Sequence, residues 1–130
     1  MRARRLVVVA ILAAAVLGLS ACSSKAKVTP PAPPTDARGK TTFTIDARGN
    51  QFSPAALIVT VGTKVTWRND DAVTHNVKKS ADAVDFGATF GTDSFNPDAT
   101  YSFTFTKPGT YFYTCTIHTL MDGKVEVVAR

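Results

Sequence analysis

From residue 42 onward, apolar and polar positions alternate with period two over short stretches. Phe43 and Ile45 are separated by threonine, and Leu57, Val59 and Val61 share one parity in 57–61. Val65 and Trp67 do so in 64–68, and Tyr101, Phe103 and Phe105 in 100–106. Tyr111, Tyr113 and Cys115 fall on one face of 110–115, and Val125 and Val127 on one face of 124–128. Successive side chains of a strand point to opposite faces, so alternation rich in valine, threonine and aromatics predicts half-buried β-strands. The stretches are separated by turn formers: Gly49-Asn50, Gly62, Asn69-Asp70-Asp71, Pro97-Asp98, Pro108-Gly109 and Asp122-Gly123. Residues 79–92 have no clear period and leave room for a short turn of helix. Short strands with frequent turns predict an all-β domain, a sandwich or barrel.

The N-terminus has a different pattern. Arg2, Arg4 and Arg5 precede an unbroken apolar run from Leu6 to Leu17, which ends in Gly18-Leu19-Ser20-Ala21-Cys22. Basic residues, a short apolar core and small residues at the cut predict an export signal. The run also falls short of the roughly 20 residues a membrane-spanning helix needs. Leu19-Ser20-Ala21-Cys22 resembles the lipobox of bacterial lipoproteins. That resemblance implies a signal peptide over 1–21, with Cys22 acylated and made the first residue of an exported, lipid-anchored protein. Residues 22–40 follow with Pro30, Pro31, Pro33 and Pro34, several charges and no aromatic residue. This composition predicts a disordered, extended linker. All twelve aromatic residues lie beyond position 42, so the folded domain is expected over 41–130.

Composition is informative only after this division. The whole chain counts 15 basic and 10 acidic residues, net +5. Without residues 1–21 and their three arginines the charge is +2. The remaining cations are scattered, and nucleic-acid binding, which needs a concentrated basic face, is excluded. Asp70, Asp71 and the Lys78-Lys79 pair are expected to be solvated loop charges. Phe43, Trp67, Phe103, Phe105, Tyr111 and Tyr113 are expected in the core.

Few residues remain to carry chemistry. His75 and His118 are the only histidines, and Cys115 is the one cysteine besides Cys22. Cys115, His118 and Met121 are spaced C-x-x-H-x-x-M, with His75 forty residues upstream of the cysteine. Two imidazoles, a thiolate and a weak axial thioether make the ligand set of blue copper sites. Thiolate and thioether favour Cu(I) and imidazole accepts Cu(II), so one site can hold both oxidation states. Cys115 ends a strand, and residues 116–123 form a short loop that can turn His118 and Met121 back toward its sulfur.

Two stretches then resemble the two halves of the small cupredoxin pattern. The first is Val59-Thr60-Val61-Gly62-Thr63-Lys64-Val65-Thr66-Trp67-Arg68-Asn69, with His75-Asn76-Val77. The second is Lys107-Pro108-Gly109-Thr110-Tyr111-Phe112-Tyr113-Thr114-Cys115, with His118 and Met121-Asp122-Gly123-Lys124-Val125. The short ligand loop is similar to that of amicyanins, within the wider plastocyanin-like family. The resemblance implies a Greek-key cupredoxin sandwich holding one mononuclear type 1 copper. His75, Cys115 and His118 would be equatorial ligands and Met121 the axial one. Asn76 would tie its strand to the ligand loop through Thr116. His118 would lie at the surface inside an apolar rim of Ile117 and Leu120, which suits transient redox protein partners. Relatives commonly carry proline where this chain has Ile117 and Thr119.

The expected function is that of a monomeric, non-enzymatic electron carrier on the extracytoplasmic face of a bacterial membrane, in the periplasm or at the cell surface. The alternative is a copper-binding or trafficking protein of the cell envelope. Delivery sites tend to be exposed and rich in methionine or histidine, whereas these four residues close one site. A copper enzyme would need further histidines for a second centre, and both are already used.

Overall fold

A computed structural model describes residues 30–81 and 90–130. The signal segment, Cys22 and the first part of the linker lie outside the described residues, as does most of the ambiguous stretch 79–92. Ten strands are present: β1 (Thr35–Asp36), β2 (Thr42–Arg48), β3 (Gln51–Ser53), β4 (Ala56–Thr60), β5 (Lys64–Asn69), β6 (His75–Lys79), β7 (Thr92–Phe95), β8 (Thr100–Thr104), β9 (Gly109–Thr114) and β10 (Asp122–Val128). They form two sheets, ordered β1-β4-β10-β9-β6-β7 and β3-β2-β5-β8. No helix occurs among the described residues.

Alternation explains which face each strand buries. In β5, Val65 and Trp67 point inward while Lys64 and Arg68 face water. In β9, Tyr111 and Tyr113 are buried between half-buried or exposed neighbours, and Cys115 continues the inward parity just past the strand end. The two inner faces meet in one core that includes Ile45, Leu57, Val59, Trp67, Phe105, Tyr113, Val125 and Val127. Phe43 and Phe103 pack against it from partly buried positions. Trp67 lies at its centre, edge-on to Tyr113 with ring centroids 5.3 Å apart. Such edge-to-face packing adds to the area each ring buries.

The strands missed by alternation are the short ones. β3 and β7 bury one residue each, Phe52 and Phe95, which is too little to make a period visible. β6 reads His-Asn-Val-Lys-Lys and buries its first three residues, polar ones included. β1 lies within the segment expected as linker. Thr35 and Asp36 pair in parallel with Leu57 and Ile58, and Ala37 is buried against the core. An alanine is too small to give this docking a hydrophobic signature.

Asp122-Gly123, expected to be a turn, begins β10 instead. Gly123 pairs directly with Tyr113 across the sheet, and a β-carbon at Gly123 would run into the Tyr113 ring. The glycine is there for close approach, not for a turn.

Candidate metal centre

The β9–β10 hairpin carries the loop 115–121 at its tip. The loop is closed at its base by Cys115 N–H donating to Met121 O at 2.8 Å, directly beside the Thr114–Asp122 pair. Leu120 takes a left-handed conformation, φ +61°, so that the chain can return to β10. His75 opens β6, which pairs on one side with β9 and on the other with β7. A residue distant in sequence is thereby brought to the mouth of the hairpin.

Three side chains converge there. His75 Nδ1 lies 3.1 Å from His118 Nδ1, and Cys115 Sγ lies 3.8 Å from the first and 3.6 Å from the second. His75 and Cys115 are buried and His118 is half-buried. The Met121 side chain is fully buried in the adjoining core. Beneath the loop, Asn76 Nδ2 donates to Thr116 Oγ1 and Thr116 N–H donates to Asn76 Oδ1, both at 2.8 Å. This reciprocal pair joins β6 to the loop. Ile117 is half exposed and Leu120 is 90% exposed, which leaves two apolar side chains in water beside His118. Val73, on the loop leading into His75, is also exposed.

Residues 39–128 match the family described as copper binding proteins, plastocyanin/azurin family. The chain belongs to that family. It is 40% identical over 83 residues to the amicyanin of Paracoccus denitrificans, which covers 64% of this chain and 63% of the amicyanin. It is 33% identical over 91 residues to plastocyanin A'/A'' of Nicotiana tabacum, covering 92% of that protein. The matches thus span just under two thirds of the P. denitrificans amicyanin. Among solved structures, a Cu(I) amicyanin variant aligns with a TM-score of 0.61 at 35% identity, over 68% of this chain and 83% of that one. The copper-containing nitrite reductase of Thermus scotoductus aligns with the same score at 32% identity, over 67% of this chain but only 22% of the reductase. A small blue copper cupredoxin is therefore similar to one part of that larger chain.

The geometry of this cupredoxin fits the ion its family binds. A circle through the three converging atoms has a radius of about 2.0 Å, the length of a metal–imidazole bond and slightly under a metal–thiolate bond. Two ring nitrogens and one sulfur are the donors that a copper cycling between +1 and +2 prefers.

One contact overturns a reading from sequence. Asp71, expected to be a solvated charge, is 16% exposed and accepts a hydrogen bond from His75 Nε2 at 2.9 Å. Its carboxylate also accepts from Gly49 N–H at 2.7 Å and Asn50 N–H at 3.0 Å. Burial alone would raise its pKa, but the Asn50 and Gly49 N–H groups and His75 together hold it below the usual value. Asp70, its neighbour, is 19% exposed and pairs instead with Arg48 and Arg68. No periodicity separates two adjacent aspartates in a turn, so the sequence held no signal for the difference. Asn69 was read only as a turn former and is fully buried. Its Oδ1 accepts Asp71 N–H, and its Nδ2 donates to Val73 O and Phe95 O.

Proposed function

We propose that this protein is a type 1 copper electron carrier, in which His75, Cys115, His118 and Met121 would hold the copper. The observation that carries this reading is the convergence of His75 Nδ1, His118 Nδ1 and Cys115 Sγ at a protected strand end. Copper held there supplies one-electron exchange between Cu(I) and Cu(II). The chain's part is to keep the ligands still. Cys115 and His118 are fixed by a closed hairpin loop, His75 by a strand flanked on both sides, and the two units are joined through Asn76 and Thr116. Ligands that barely move between oxidation states leave little reorganisation to oppose electron transfer. His118, less buried than the other two, is the route by which an electron enters or leaves. Ile117 and Leu120 beside it form a small apolar rim suited to a brief encounter with a redox partner. No residue is assigned a catalytic role.

We place the protein outside the cytoplasm, anchored through acylated Cys22, with residues 1–21 as the signal and the chain beyond Cys22 as the tether. Amicyanin and plastocyanin relatives support the redox role. The test is spectroscopic. Copper-loaded wild type should show an intense visible thiolate-to-copper band and a type 1 EPR signal. Cys115→Ser should lose both, and a band that survives the substitution would refute the ligand assignment.

A further inference from the structure

Asp71 sits on the connection between the two sheets. β5 belongs to the four-stranded sheet and β6 to the six-stranded one, so residues 70–74 cross from one to the other. Asn69 fixes the start of this crossing. Its Oδ1 accepts Asp71 N–H at 2.9 Å, while its Nδ2 reaches Val73 O at 2.8 Å and Phe95 O at 3.0 Å. The Asp71 carboxylate then faces two groups at once. On one side is the β2–β3 turn, where Gly49 and Asn50 both take left-handed conformations, φ +62° and +56°. That turn aims two successive backbone N–H groups at the carboxylate. On the other side is the outer nitrogen of His75, a fully buried ring.

We propose that Asp71 is a positioning residue: held by the β2–β3 turn, its carboxylate locks the His75 ring with Nε2 protonated and Nδ1 turned toward Cys115 and His118. An ionised carboxylate only accepts hydrogen bonds, so a ring nitrogen 2.9 Å away must donate. In a neutral imidazole this leaves the lone pair on Nδ1, the nitrogen that faces the other two candidate ligands. The negative charge also makes the imidazole a stronger donor, and it favours a doubly charged ion over a singly charged one. The four-stranded sheet therefore sets the orientation and donor strength of a ligand carried by the other sheet. The effect on copper rests on His75 being a ligand, whereas the ring lock does not.

The experiment has a copper-free arm and a copper-loaded arm. In the copper-free protein, long-range ¹⁵N–¹H NMR of the His75 ring should show a single tautomer with the proton on Nε2. Asp71→Leu, which removes the acceptor, should blur it into a mixture, whereas Asp71→Asn can keep it, because an amide oxygen in the Oδ2 position still accepts from His75 and Asn50. A wild-type ring with its proton on Nδ1 would overturn the proposal without any variant. In the copper-loaded protein, Asp71→Asn should lower Cu(II) affinity about 10–100-fold. The loss of Cu(I) affinity should be about tenfold smaller, which appears as a potential raised by about 59 mV. A residue that merely staples the hairpin would lower the unfolding midpoint and leave tautomer and potential unchanged, and that result would also overturn the proposal. Absence of a blue band in the wild type would strike at the copper reading alone, because the NMR arm is independent of it.

Discussion

At the scale of single residues, several positions are held in conformations their side chains do not favour. Leu120 is left-handed, which costs a non-glycine residue roughly 1–2 kcal/mol, and its side chain stands almost wholly in water. The Cys115–Met121 hydrogen bond and the pairing of β9 with β10 hold it there. Tyr113 is confined from several sides by Trp67, Phe52 and Gly123. Its hydroxyl and the Trp67 indole nitrogen are both buried without an ordinary hydrogen-bond partner. Burial pushes the Tyr113 phenol far above its usual pKa, partly offset by the nearby Trp67 N–H. A ring so enclosed cannot move aside. Gly123→Ala should therefore destabilise the domain by about 1–3 kcal/mol, seen as a lower urea midpoint at unchanged slope. An unaltered midpoint would show that the Tyr113 ring can shift after all.

Among elements, the site depends on three that meet at one end of the sandwich. The β9–β10 hairpin brings Cys115, His118 and Met121, β6 brings His75, and the β2–β3 turn reaches His75 through Asp71. Asn76 joins the first two with a pair of hydrogen bonds, and it is itself buried. Asn76→Ala would take both hydrogen bonds from Thr116, which is exposed enough for water to replace them in part, so each costs about 0.5–1.5 kcal/mol. The expected outcome is a lower unfolding midpoint and faster loss of copper to a chelator. Equal release rates in variant and wild type would mean the loop holds its shape unaided. Strands with long alternation, such as β5 and β9, were legible from sequence because every second residue is buried. β6 was not, since its buried residues include His75 and Asn76, which are polar and find partners on Asp71 and on a loop some forty residues away.

On the scale of the whole molecule, the compact unit that carries the site begins at Pro31 and takes in β1. The part of the chain rich in proline thus ends in a docked edge strand. Asp36 and Arg38 form an exposed ion pair beside it, and Arg38 holds the Asp36 carboxyl down at about 2. The proposed anchor belongs to this scale as well, because it decides where the electron carrier can meet partners. Metabolic labelling with a radioactive fatty acid should mark the wild type and leave Cys22→Ala unmarked. Label retained by the variant would refute acylation at Cys22.

The sequence by itself determined that the folded part is built of strands, and that its sulfur and imidazole donors suit copper. Period-two burial and donor softness are properties of residues and their spacing, so they can be read before any fold is known. Only the tertiary structure decided that Asp71 faces His75 while Asp70 pairs with Arg48 and Arg68, that Gly123 serves the Tyr113 ring rather than a turn, and that Ala37 docks on the core. Each of these depends on which strands lie side by side. Pairing across sheets joins residues far apart in the chain, and no local pattern records it.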